Sequence, residues 1–446
     1  MKIQNVIYNF LNKNREKTNI KVISESEIST EITKIARSYD MYLGNAPWVK
    51  GGKSSLNLAS GIVSELARLT LTEFALIYGE APQDLKVKKA FYGFEKRIRQ
   101  SVEAACATGG VIFKPCFDGN QLGIETILPF NFVPLGFDGN GNINECAFIY
   151  RALCGDKKFV RIEEHTRRGG KYVITNKVFS DDAALIPCSI NAVEPWKNIC
   201  SYCEIEGLSK PLFSYFGIPG NNFGEVNGLL GVPVFRRAEE LIKEADKQFE
   251  RLIWEFEGGE LAIDASEDAF RPGKDGKPRL PVGKERLYRT NALDACCSSN
   301  ELLKVFSPSL RDESLINGLN RIVMFVEDAC GIARGTFSDP SEEAKTATEV
   351  RASRQRTYST VRSIQNALKR AIYDLLDAVN DLSYLYGLSL KGGELTVSMG
   401  DGVLNDEESL KQSQREDVKY GILSPEEFKD RWYGEMTGGK NEKRIS

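Results

Sequence analysis

Residues 346–388 read TATEV RASRQRTYST VRSIQNALKR AIYDLLDAVN DLSYLYGL, and this run decides the fold. Val350, Tyr358, Val361, Ile364, Leu368, Ile372, Leu375, Val379 and Leu382 keep helical spacing, and neither proline nor glycine interrupts before Gly387. At 1.5 Å per residue the predicted helix is on the order of 60 Å long, far beyond the usual length of about three turns. Its charge is one-sided. Arg351, Arg354, Arg356, Arg362, Lys369 and Arg370 lie between Val350 and Tyr373 with no acidic residue among them. Such a stripe is either a solvated or subunit-facing surface, or one that meets phosphates. The sequence leaves both open.

Upstream, a loop over 331–345 carries Gly331, Gly335, Asp339, Pro340 and Ser341. Before it, Leu315, Leu319, Ile322, Val323 and Val326 mark a helix from Asp312, a residue suited to its N-cap, to about Cys330. Further back, Pro233 suits the first turn of another helix, with Val234, Ala238, Leu241, Ala245, Phe249, Leu252 and Phe256 on one face up to Gly258-Gly259. Between these two helices sits an insertion with strand-like stretches 261–263, 286–289 and 302–306. Its loop-rich middle carries Arg271, Lys274, Lys277, Arg279, Lys284 and Arg286. The plan is helix, small α/β insert, helix, loop, long helix.

The N-terminal half is mixed. Residues 56–78 and 86–107 read as two amphipathic helices, the second stopped by Gly109-Gly110. Alternating stretches 111–117, 122–128, 145–152, 160–165 and 171–179 follow, separated by Asp-Gly and Asn-Gly turns, which predicts an antiparallel meander. A glycine-rich loop over 217–231 closes this half. After the long helix, a strand over 394–399 leads into a mostly helical acidic tail, with a helix stop at Gly421 and a new start at Ser424-Pro-Glu-Glu. The fold class expected is α+β.

Composition narrows function. With 59 Lys and Arg against 62 Asp and Glu, the 446-residue chain carries a formal charge of −3, so it is no basic nucleic-acid coat; DNA contact would need local patches or several copies. No run of about 18 apolar residues exists, and the first residues do not read as a secretory signal. The ten cysteines include one C-x-x-C, Cys200 and Cys203, without a second pair or a histidine nearby, so reduced thiols and no metal are expected. Gly51-Gly52-Lys53-Ser54 resembles the end of a phosphate loop, but Pro47 stands where its first glycine belongs. Asp138-Gly-Asn-Gly-Asn carries calcium-type oxygens, yet Ile143 occupies the position that needs glycine, so a hairpin turn is expected. The single histidine, His165, reads as a surface residue of a strand. No catalytic constellation emerges, and neither an enzyme nor a cofactor is expected.

Several stretches together resemble the portal proteins of tailed bacteriophages, closest to those of long-tailed phages of Gram-positive bacteria. They are Lys345-Thr-Ala-Thr-Glu-Val-Arg with Arg356-Thr-Tyr-Ser-Thr-Val and Gln365-Asn-Ala-Leu; Val305-Phe-Ser-Pro-Ser-Leu-Arg-Asp-Glu with Gly331-Ile-Ala-Arg-Gly-Thr-Phe-Ser; and Glu194-Pro-Trp, Pro211-Leu-Phe-Ser-Tyr-Phe and Gly231-Val-Pro-Val-Phe-Arg-Arg-Ala. Gly109-Gly110-Val-Ile-Phe-Lys-Pro, Glu164-His165 and Tyr172-Val-Ile-Thr-Asn also fit. The matches follow the family's order over most of the chain; the middle of the insertion follows no family pattern.

The resemblance implies a wing (1–231), a stem helix (232–258), a clip (259–311), a second stem helix (312–332), a tunnel loop (333–347), the long helix with wing completion (348–400) and an α-helical crown (401–446). It implies a homo-oligomeric ring, usually of twelve subunits, at one capsid vertex of the virion, assembled in the host bacterial cytoplasm. The ring would pass double-stranded DNA during packaging and ejection. Its partners would be the terminase large subunit, the major capsid and scaffolding proteins and a head-completion or adaptor protein, with no membrane. Arg334, Gly335, Thr336, Ser338 and Lys345 would line the DNA channel on a flexible loop, from which removal of residues 338–342 would leave folding intact. Arg351, Arg354, Arg356 and Arg362 would meet DNA or a neighbouring subunit. Arg271, Lys274, Lys277, Arg279, Lys284 and Arg286 would face the terminase. Two rivals stay open: another structural ring protein of the head–tail connector, and a metal-dependent nucleic-acid enzyme.

Overall fold

The computed structural model describes residues 25–49, 54–78, 85–180, 186–220, 230–266, 288–291, 303–339, 347–387, 395–400, 407–421, 423–425 and 428. They form an α+β fold. Helices α1 (Glu25–Tyr42) and α2 (Leu58–Thr70) come first, then strand β1 (Ala75–Tyr78) and helices α3 (Leu85–Glu95) and α4 (Ile98–Thr108). On α2 the buried residues Leu58, Ile62, Val63, Leu66 and Ala67 make one stripe, the face that an amphipathic helix turns to a core. Strands β2 (Gly110–Phe117), β3 (Leu122–Ile127), β4 (Phe132–Phe137), β5 (Ile143–Cys154), β6 (Lys157–Arg168), β7 (Lys171–Ser180), β8 (Pro187–Cys188), β9 (Tyr202–Ile205) and β10 (Ser214–Gly217) follow.

Two sheets arise from these strands. Strands β4 to β8 run in sequence order, with β9 also pairing β7, and β10-β2-β3 form a second, smaller sheet. The β4–β5 turn is the expected hairpin: Asp138 accepts hydrogen bonds from the amides of Asn140 and Asn142, and Gly141 takes φ 83°. Between β2 and the glycine-rich loop, Ile218 N–H donates to Gly109 O at 2.9 Å. A Cβ on Gly109 would lie 2.4 Å from Gly231 O, so this crossing of two backbones admits only glycine.

The C-terminal half continues with α5 (Glu239–Gly258), β11 (Ala262–Ser266), β12 (Tyr288–Asn291), β13 (Leu303–Phe306), α6 (Asp312–Cys330), α7 (Ala347–Leu385), β14 (Leu395–Ser398) and α8 (Glu407–Lys419). Helix α7 has 39 residues, about 58 Å. It is the axis of the main core: Val361, Ile364, Leu368, Ala371, Ile372, Leu375 and Val379 are buried with residues of α2, α3, α4, β2 and α6. Its backbone is also tied in. Ser214 Oγ donates to Ala371 O at 2.6 Å, and Gln365 Nε2 donates to Thr70 O and Gly400 O.

Several sequence expectations need correction. The helix expected over 56–78 ends at Thr70; Leu71 caps it, Glu73 turns left-handed at φ 55°, and 75–78 pair with 395–398 as β1–β14. Phe74 continues the helical spacing by coincidence, while Leu76 and Tyr78 belong to a two-residue period. The expected helix 86–107 is two, broken where Arg97 leaves helical geometry and donates to Gly93 O and Ile124 O. Helix α5 begins at Glu239 after a short 3-10 turn, leaving Pro233 outside it. Asp312 is the first residue of α6 rather than its cap, which is Arg311.

His165 is the largest reversal. It is only 2% exposed, inside a polar cluster that joins the two sheets. Glu163 sits at the centre, with Lys114 Nζ at 2.6 Å, Arg161 NH1 at 2.7 Å and His165 Nε2 at 2.8 Å. Tyr172 O–H accepts from Leu212 N–H and lies 2.7 Å from His165 Nδ1. A neutral imidazole that donates from Nε2 to Glu163 and accepts at Nδ1 from Tyr172 satisfies every group. Burial holds the His165 imidazole below its ordinary pKa. Burial alone would raise the Glu163 carboxyl, but Lys114, His165 and Arg161 together hold it well below the carboxylate range. The alternation of β6 was legible; the second sheet that covers this face was not.

Candidate functional site

Helices α5 and α6 form an antiparallel pair. Gln248 Nε2 donates to Leu315 O, and about two turns further along α5 Glu255 takes the backbone N–H, Nε and NH2 of Arg311, so residue numbers rise on one helix as they fall on the other. The root of the pair is anchored. Asp246, buried on α5, accepts Trp48 Nε1 at 2.8 Å, Ser55 Oγ and Leu56 N–H. Glu239 pairs with Arg37 at 2.5 Å.

The far end is different. Buried residues of α6 begin only at Val323; none of 312–322 is buried. Large apolar side chains face solvent along the pair: Trp254 is 65% exposed and Phe325 48%, and Phe256, Leu310 and Ile316 are exposed too. Single exposed apolar residues are ordinary; here several lie along one helix pair. At the tip, β11 pairs in parallel with β12 and antiparallel with β13, so β12 and β13 are the edges of this sheet among the described residues. Val305 on β13 is exposed.

The segment after α6 is a built cage. Gly331 ends the helix in the left-handed region at φ 70°. Thr360 Oγ1 donates to Gly331 O, and Ala333 N–H donates to Thr357 Oγ1 at 2.7 Å, which fastens the segment to α7. Glu327 is fully buried (0% exposed). Its Oε1 accepts Phe337 N–H at 2.6 Å and Ser338 N–H at 3.0 Å; its Oε2 accepts Ser338 Oγ–H at 2.7 Å and Gly335 N–H at 3.2 Å. Beside it, Asp328 holds Arg334 at 2.6 Å and also pairs with Arg356 of α7. The hydrogen bonds from Arg334, with support from Arg356, keep the Asp328 carboxyl below its ordinary range.

The site residues expected from sequence divide accordingly. Gly335, Thr336 and Ser338 belong to the cage, and Arg334 and Arg356 are both engaged by Asp328, so residues 331–339 are not the free loop expected. Ser338 is buried, Phe337 packs against the main core, and removal of 338–342 would strip Glu327 of the two bonds that Ser338 donates. Arg362 is exposed on α7. Arg351 and Arg354 lie in α7, with side chains outside the described residues. Lys345 and the insertion cations Arg271, Lys274, Lys277, Arg279, Lys284 and Arg286 lie outside the described residues. Sequence reading missed Glu327, Asp328, Thr357 and Thr360. Two acidic residues next to a glycine helix stop, with two threonines a turn apart within the next helix, were the available signal.

Among the described residues no group of three or more His, Cys, Asp or Glu side chains is placed to hold a metal ion, and no helix is long and apolar enough to cross a membrane. Comparison with known protein families finds no match, and comparison with curated proteins finds no similar chain.

Proposed function

We propose that this chain is a portal subunit: it assembles with copies of itself into a closed ring at one capsid vertex, and double-stranded DNA passes through that ring. The observation that carries this reading is the α5–α6 pair, rooted by Asp246 and Glu327, with Trp254, Phe256, Ile316 and Phe325 open to solvent along it. Two antiparallel helices cannot cover both faces of each other, and a heterologous contact repeated by rotation covers the remaining face of every copy. The insert at the tip, with strand edges to offer, suits docking of a separate packaging motor and head-completion proteins. The engagement of Arg334 and Arg356 by Asp328 suits a channel that passes DNA without gripping it, since each free cation on a ring is multiplied by the number of copies.

The test is sedimentation of the purified full chain against the double variant Trp254→Ser, Phe325→Ser. The proposal expects a species many times the 49.8 kDa chain mass that the variant shifts toward smaller species without loss of helix signal. A wild-type chain that stays a monomer at micromolar concentration contradicts it.

A further inference from the structure

We propose that the elbow between α3 and α4 is a second nucleic-acid surface, one that takes the phosphate backbone of a duplex on the layer of α3 and α4. Residues 85–103 carry six cations, Lys86, Lys88, Lys89, Lys96, Arg97 and Arg99, against two carboxylates, Glu95 and Glu103, in a chain that is acidic as a whole. Among the described residues, Lys88, Lys89, Lys96 and Arg97 have no ion pair with a carboxylate. Arg99 pairs with Glu103, whereas Arg97 spends its guanidinium on two backbone carbonyls, which leaves its charge uncompensated. Lys88, Lys89 and Lys96 are exposed and have no ion pair among the described residues. Elsewhere Lys171, Lys177, Lys197, Lys210, Lys243 and Lys247 each hold a carboxylate.

Two of these lysines, Lys88 and Lys96, also lie over rings. Lys96 Nζ lies 4.4 Å from the centroid of Tyr92 and Lys88 Nζ 5.5 Å from that of Tyr78. A ring under an ammonium orients it while leaving its charge free for an anion. The exposed apolar side chains nearby, Tyr92, Ile77 and Tyr386, stand on three separate parts of the chain, α3, β1 and the residue after α7, among the cations. A protein partner would need a desolvated core here. A phosphate backbone needs only charge and tolerates water. From Lys88 to Lys96 is about 12 Å along a helix, close to the rise of three to four nucleotides of one strand at about 3.4 Å each.

The experiment measures binding of a fluorescein-labelled 30-base-pair DNA duplex to the full chain by anisotropy between about 50 and 300 mM KCl. Each cation withdrawn from a phosphate lowers the slope of log affinity against log salt by about 0.9. The variant Lys88→Gln, Lys89→Gln, Lys96→Gln is expected to lower the slope by about 2.7 and to weaken binding at least tenfold at about 100 mM salt. The charge-keeping variant Lys88→Arg, Lys89→Arg, Lys96→Arg is expected to keep the slope. So is Lys171→Gln, Lys197→Gln, Lys243→Gln, whose lysines are already paired. The proposal is overturned by an unchanged slope in the first variant, by absence of duplex binding at about 50 mM KCl, or by elbow-dependent binding of poly-glutamate in place of DNA. It does not rest on the ring reading: the slope is a property of the elbow in a ring or in a monomer.

Discussion

Replacing Glu327 tests whether residues 331–339 are a rigid part of the α6–α7 junction. Four donors converge on its two oxygens inside the protein. In Glu327→Gln an amide oxygen can keep the Phe337 and Ser338 amides. The new NH2 then faces Ser338 Oγ, which can turn to accept, and Gly335 N–H, which retains Ser338 Oγ at 2.9 Å as an alternative acceptor. The loss is the carboxylate character of the bonds and one hydroxyl donation, about 1–2 kcal/mol. Glu327→Leu removes every acceptor and strands the Phe337 and Ser338 amides, at about 1–3 kcal/mol each, so about 2–5 kcal/mol together once a small gain from added apolar burial is set against it. The assay is hydrogen exchange of the peptide covering 333–339, read by mass spectrometry beside a denaturant midpoint. Local opening eased by 1–2 kcal/mol speeds exchange about 5- to 30-fold for the Gln variant, and the Leu variant approaches unprotected exchange. Exchange in the Leu variant within about twofold of wild type would refute the cage.

Asp328→Asn should cost only about 0.5–1 kcal/mol, because its arginine partners are half exposed and screened by solvent. Since the folded pKa of Asp328 is depressed, that contribution is complete above the unfolded value near 4 and is lost as pH falls through the lower folded value; midpoints of wild type and variant, separate at pH 7, should converge in that window. Lys114→Met leaves Glu163 buried with less opposing charge and should lower stability by about 3–5 kcal/mol, measured by denaturant unfolding; a loss below about 1 kcal/mol would show that Arg161 and His165 suffice. Asp246→Leu should release the Trp48 indole and red-shift tryptophan emission, with a loss of about 2–4 kcal/mol for three orphaned donors; unshifted emission would mean the anchor is incidental.

What the sequence could reveal follows from the range of each signal. Helix α7 was legible almost to the residue because its period is local and unbroken, and the hairpin at Asp138 because turn chemistry is local too. The end of α2 was hidden because Phe74 satisfies the helical spacing while belonging to a segment whose partner, β14, lies some 320 residues away. His165 was placed on the surface because strand alternation says which residues share a face, but not whether another sheet covers it. The cage was invisible for the same reason: Glu327 looks like any helix carboxylate until the chain turns back at Gly331 and brings the amides of Phe337 and Ser338 onto it. Glycine and serine content alone suggested looseness, where tertiary hydrogen bonding fixes the segment.

The proposed assembly is a closed ring of copies of this chain around a channel for DNA. Negative-stain electron microscopy of the purified full chain tests it most directly. Class averages should show rotationally symmetric particles with a central hole wide enough for a DNA duplex. Compact single subunits, or open chains of subunits without a hole, would contradict it.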